Sequence, residues 1–147
     1  IGSLETKNKN ILENCAAYKD YTTLCNNAPG EILATIAMRN ATDLLQRNHK
    51  IVLDNLGLAE KFFKKHKNIL HWIQPNGGST AFPQLMKPFD VTEMCEKAMN
   101  EKELLIIGER AFGVTTNNFR IGLGRLDFKE ALDVVSEVIE DMESKIS

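Results

Sequence analysis

Asn117-Asn118-Phe119-Arg120-Ile121-Gly122-Leu123-Gly124-Arg125 is an apolar run with an arginine inside it and two glycines close by. Side chains alternate across a strand, so Phe119, Ile121 and Leu123 share one face. Arg120, Gly122 and Gly124 then share the other, a cation flanked by open space. Glycine weakens strands and packs nothing, so this face is unusual for a strand built only for packing. A guanidinium offers a planar fork of donors that matches a carboxylate. Two readings follow for Arg120. It holds the carboxylate of a bound amino or keto acid, or it pairs with an Asp or Glu elsewhere in the fold.

The elements around this strand set its architecture. Downstream, Asp127 and Glu130 have capping-box spacing, and Phe128, Ala131, Leu132, Val135, Val138, Ile139 and Met142 form one helical face. Upstream, Leu104-Leu105-Ile106-Ile107 reads as a strand closed by Gly108. Before it, Asp90 and Glu93 open a helix whose stripe is Val91, Met94, Cys95, Ala98 and Met99. Ile69–Ile73 reads as a strand ending at Pro75-Asn76-Gly77-Gly78. Thr80–Leu85 reads as a second, confined by Pro83 to an edge or bulge. From residue 68 the order is β-β-α-β-β-α. This predicts an α+β fold, a small and mostly antiparallel sheet covered by helices.

The first half reads differently. Residues 8–18 carry a short helical pattern through Ile11, Leu12 and Cys15, and Tyr21-Thr22-Thr23 is β-prone. Pro29 suits the first turn of a helix. From it Ile32, Leu33, Ile36, Ala37, Ala41, Leu44 and Leu45 recur at helical spacing. A second pattern runs through Ile51, Val52, Leu56, Ala59, Phe62 and Phe63, with a kink or turn expected near Asn48-His49. A long helix or helix pair of this kind links two lobes.

Composition excludes several functions. At 147 residues, 43% hydrophobic and 26% charged, the chain has the make-up of one soluble globular domain or a piece of a larger protein. A net charge of −2, with both signs interspersed, gives no polyanion-binding stripe, so no nucleic-acid partner is expected. The basic run from Lys61 to Lys67 reads as the solvated end of a helix. No apolar stretch has the length of a membrane span. Cys15, Cys25 and Cys95 match neither a zinc pattern nor a disulfide framework, and read as buried or partly buried free thiols in a reducing cytoplasm. His49, His66 and His71 form no metal-ligand set, His71 reading as structural or exposed. Gly122-Leu123-Gly124 lacks the third glycine of a phosphate loop.

Four segments together bear a family resemblance. Pro75-Asn76-Gly77-Gly78-Ser79-Thr80-Ala81-Phe82 resembles the P-x-G-G-x-x-x-F segment of class I/II, fold-type-I pyridoxal-phosphate aminotransferases. Gly108-Glu109-Arg110-Ala111-Phe112-Gly113 resembles their PGxxFG loop, though without its proline. Phe119–Gly124 resembles their F-R-[IL]-x-[FL] strand, and Tyr21–Glu31 the stretch before their interdomain helix. The resemblance implies that Arg120 binds the substrate's α-carboxylate and that Gly77 and Gly78 shape the pocket wall. It implies that residues 1–48 are the tail of the large domain and the start of the interdomain helix, and 49–147 the small C-terminal domain. Tyr21–Thr23 would lie near a dimer interface.

Ile1-Gly2 resembles the end of the family's GxRxG phosphate motif, so the cofactor lysine and phosphate-binding arginine are expected upstream, with no catalytic residue in this chain. The expectation is therefore a C-terminal portion of a homodimeric aminotransferase acting on an amino acid and a 2-keto acid. Pyridoxal phosphate would be bound by the whole protein and not by this portion alone, which would be inactive. Lyases and decarboxylases of the same fold share these motifs. A noncatalytic carboxylate-binding or assembly module is the alternative of another class.

Overall fold

The computed structural model describes residues 2–145, so Ile1 of the Ile1-Gly2 pair lies outside the described residues. The chain divides between Gln46 and Arg47 into two units. In the first, helix α1 spans Lys9–Thr22 and α2 spans Ala28–Arg39. Asn8 caps α1, its Oδ1 accepting from the backbone N–H of Asn10 (3.0 Å) and Ile11 (3.3 Å). Tyr21 and Thr22, expected as extended, complete the last turn of α1 instead. The Thr22 hydroxyl donates to the Tyr18 carbonyl at 3.0 Å, which lets a β-branched residue sit in a helix. Asn27 caps α2 through the Gly30 N–H at 2.7 Å, and Pro29 stands in its first turn. No residue of α1 or α2 is buried.

Helix α3, Ala41–Lys65, runs unbroken through Asn48-His49, so the break lies earlier, at Asn40. The Asn40 amide donates to the Ile36 carbonyl at 2.8 Å, closing α2 with its own side chain. The linking element is thus a helix pair, α2 and α3.

In the second unit α3 buries Asn55, Ala59, Phe62 and Phe63 and ends on the cations Lys64 and Lys65. The strands that follow are shorter than expected: β1 is Leu70–His71, β2 Thr80–Ala81, β3 Gln84–Leu85, β4 Ile107–Gly108 and β5 Phe119–Gly122. Pro83 splits the predicted second strand in two. It has no N–H to give, but its carbonyl accepts from Phe119 N–H at 3.1 Å. The halves join different sheets: β3 pairs antiparallel with β1, while β2 joins the antiparallel sheet β2-β5-β4. Of Leu104–Ile107 only Ile107 pairs.

Helix α4 spans Val91–Lys102 and α5 Phe128–Ser144, and the two pack together. Asp90 caps α4 through the N–H groups of Thr92 (2.8 Å) and Glu93 (3.1 Å). Asp127 makes no such bond. Met94, Leu85, Leu123 and Ile139 are almost wholly buried, with Phe63, Phe119, Phe128 and Val138 around them. Each such side chain contributes roughly 1.5–3 kcal/mol of transfer free energy. Cys15 and Cys25, expected to be at least partly buried, are exposed because α1 and the loop after it bury nothing; Cys95 is half-buried. Among the described residues no helix is long and apolar enough to cross a membrane.

Candidate functional site

Strand β5 is the middle of its sheet. Ile107 faces Arg120 and Gly108 faces Phe119 on one side; on the other Thr80 faces Gly122 and Ala81 faces Ile121. The pleat sorts side chains as alternation requires. Phe119 and Leu123 are buried and Ile121 is half-buried, while Arg120, Gly122 and Gly124 are exposed. The Arg120 guanidinium makes no hydrogen bond or ion pair among the described residues. A Cβ added at Gly122 or Gly124 would meet nothing within 4 Å, so there is room beside the guanidinium's strand.

The other two expected site residues enter through the strand pairing. Gly77 and Gly78 lie in the loop before β2, and Leu123 N–H donates to the Ser79 carbonyl at 2.8 Å. That bond sets the loop against the C-terminal end of β5, with Arg120 further back on the same strand. Gly78 has φ +77°, a backbone region that favours glycine; Gly77 and Gly78 both face open space. Neither lines the cleft of about 380 Å³ that Arg120 helps to line. The cleft's other walls are Leu104–Ile106, Phe119, Ile121, Arg125, Asp127 and the Phe128–Val135 side of α5, with Phe62 from α3.

The two arginines at this cleft differ. Arg125 is engaged: its Nε donates to Asp127 Oδ1 at 2.8 Å and its Nη2 to Oδ2 at 2.7 Å. That fork holds the Asp127 carboxyl below the usual carboxylate range. Arg120 has no such partner.

Three residues that fix the strand went unrecognised in the sequence. Asn55, buried on α3, donates to the carbonyls of Leu123 (2.9 Å) and Arg125 (2.7 Å) and so holds the far end of β5. Asn117, at φ +62°, holds the near end: its amide donates to the Leu85 carbonyl and to that of Phe89 (2.9 Å), and its oxygen accepts from Val91 N–H at 2.8 Å. The Glu109 carboxylate accepts from the N–H of Asn117 and, at 3.3 Å, of Asn118. Glu109 opens the 3₁₀ turn Glu109–Phe112, and Phe112 meets Phe82 edge to face at 5.3 Å. The departure at Gly108-Glu109 thus gives the loop a carboxylate anchor. A Cβ at Gly108 would approach the Cys95 sulfur to 3.3 Å. Burial pushes the Cys95 thiol up to about 11, which leaves it protonated and poorly nucleophilic.

No family model matches the chain. Capreomycidine synthase of Streptomyces vinaceus is 25% identical over 131 residues, covering 88% of this chain and 33% of that protein. A solved PLP-dependent cyclase, OrfR, superposes with a TM-score of 0.80 at 24% identity, over 91% of this chain and 37% of its own. A PLP-dependent aminotransferase from Streptococcus suis 89-1591 gives 0.79 at 20%, over 95% and 36%. The chain has the fold of the C-terminal portion of a fold-type-I PLP enzyme. It spans about a third of the length of these relatives.

Among the described residues no lysine lines the cleft, and of Arg120 and Arg125 the second is committed to Asp127. Among the described residues no three His, Cys, Asp or Glu are grouped to hold a metal ion.

Proposed function

We propose that this chain is the substrate-carboxylate portion of a PLP-dependent aminotransferase that moves an amino group between an amino acid and a 2-keto acid. In this reading Arg120 pairs with the α-carboxylate, and Gly77 and Gly78 form the adjoining wall. Residues 1–48 belong to the end of the large domain and 49–147 to the small domain. Pyridoxal phosphate is assigned to the whole protein, a homodimer in the cytoplasm, and this portion alone is inactive. The observation that carries the reading is Arg120 itself. It is an exposed guanidinium without a partner among the described residues, on the central strand of a sheet whose fold is that of PLP enzymes. The neighbouring Arg125, by contrast, already has its carboxylate.

The test is Arg120→Ala in the whole protein. A charge-assisted hydrogen bond is worth about 1.5–3 kcal/mol, roughly ten- to 150-fold in kcat/KM. The loss is expected with an unchanged unfolding midpoint, and Arg120→Lys should recover only part of it. Unchanged kinetics would remove Arg120 from the site.

A second reading has its own support. The likenesses include a cyclase and a synthase, so a PLP-dependent cyclase or lyase acting on an amino acid is the rival. An aminotransferase requires a keto-acid acceptor to turn over repeatedly. Steady product formation without one would favour the rival, with Arg120 keeping the same role.

A further inference from the structure

Where α3 ends, His66 is 6% exposed, lies against the Phe62 ring at 4.8 Å between centroids, and sets Nε2 2.9 Å from the Ser136 Oγ of α5. Lys65 Nζ reaches the same Oγ at 3.0 Å and Glu140 Oε1 at 3.0 Å, and Ser136 Oγ lies 3.2 Å from that Oε1. The chain turns from α3 into β1 on this residue, because the His66 carbonyl accepts from both Ile69 N–H (3.0 Å) and Leu70 N–H (2.9 Å).

We propose that His66 and Ser136 form a pH-dependent latch between the end of α3 and α5, closed around a neutral imidazole that accepts the serine proton at Nε2 and loosened when the ring becomes cationic. A hydroxyl has one proton to give and two lone pairs. Lys65 takes one lone pair, and the neutral ring takes the proton. Once Nε2 is protonated it must donate, so the serine proton turns to Glu140 and the second lone pair faces the imidazolium. Two cations, exposed Lys65 and the buried ring, then share one oxygen at the edge of the junction. From α5, Glu140 and Glu143 offset this in part, while burial and Lys65 oppose the charged ring more strongly and hold the His66 pKa below 6.5.

The sign follows from linkage. Between 6.5 and the lower folded value the unfolded chain binds the proton that the folded chain refuses. Stability therefore falls as pH drops through that window. Lys65 holds the Glu140 carboxyl below its usual range, so it keeps its charge there.

NMR on the 147-residue chain tests the latch. The His66 ring should titrate below 6.5, carry its neutral-state proton on Nδ1, and titrate higher in Ser136→Ala, where the serine no longer donates to it. Amide protection in residues 62–70 and 132–140 should drop several-fold between pH 7.5 and 5.5, measured against intrinsic exchange, while the interior of α4 changes less. His66→Gln should flatten that pH dependence. A ring titrating at or above 6.5, a neutral Nε2–H tautomer, or a midpoint indifferent to Ser136→Ala would overturn the proposal. So would unchanged local protection. The wild-type titration decides even if a variant fails to fold.

Discussion

Helices α2 and α5 have the same kind of apolar spacing and opposite fates. Ile32, Leu33 and Ile36 on α2 are 61%, 66% and 52% exposed, whereas Leu132, Val135 and Val138 on α5 are at most 7% exposed. Periodicity specifies a face, and burial needs a second surface for that face to meet. In residues 47–145 that surface is supplied by α3, α4 and the sheets. Within residues 2–46 none is. The largest expected effects break or keep this contrast. Leu123→Ala, at a wholly buried position, should cost about 2–5 kcal/mol in urea unfolding, and Leu33→Ala less than about 0.5 kcal/mol. If Leu33→Ala cost as much as Leu123→Ala, the α2 face would have to be covered in solution and the contrast would fail.

The same contrast explains what could be read from the residues alone. The helices of the second unit were legible because each has a stripe and a partner: all of the Phe128–Met142 face except half-buried Ala131 is buried. The alternation of β5 was legible for the same reason, since Phe119 and Leu123 had a core to enter. Strand lengths were not. Leu104-Leu105-Ile106 is apolar enough for a strand, but pairing depends on a neighbour distant in sequence, and Leu105 is left 67% exposed. The α2–α3 break lies at Asn40 and not at Asn48, although the two look alike as interruptions, because Asn40 turns its amide back onto a carbonyl.

For the candidate site, Arg120 and the glycines stood out by type, whereas Asn55 did not. Nothing near Asn55 in sequence indicates that it answers Leu123 and Arg125. It nevertheless carries the next largest prediction. Asn55→Ala leaves two carbonyls unanswered and should cost about 1–3 kcal/mol in urea unfolding. Asn55→Asp keeps the shape but exchanges the donor for a charge, and should not recover that loss. Recovery by Asp would mean that packing, not donation, holds the end of β5.

The smallest effects compare two helix starts that look identical in sequence. Asp90 and Asp127 each precede an apolar run, and each has a glutamate three residues on. At α4 the carboxylate serves the backbone, and the N–H groups of Glu93 and Thr92 hold Asp90 below the usual carboxylate range. At α5 the Arg125 fork takes the carboxylate first, and the helix start goes without a side-chain cap. The capping spacing is therefore necessary but not sufficient, because a nearby guanidinium is the stronger competitor for a carboxylate. Asp90→Ala should cost about 1 kcal/mol and Asp90→Asn much less, since an amide oxygen still caps. Asp127→Ala should change stability little, because an exposed ion pair in water is weak. Salt separates the mechanisms further: the Asp90 effect should survive about 1 M salt, while any Asp127 effect should fade as the ion pair is screened. Both carboxyls stabilise the fold above their ordinary range and lose that contribution as pH falls through their lowered folded values. Arg125→Ala supplies the decisive comparison. If Asp127 is kept from capping only by its arginine, removing the guanidinium frees the carboxylate to turn onto the α5 N–H groups. Asp127→Ala should then become more costly in the Arg125→Ala background than in the native chain. A cost that is the same in both backgrounds would mean that the backbone at Asp127, at φ −90° and ψ 25°, forbids the cap by itself.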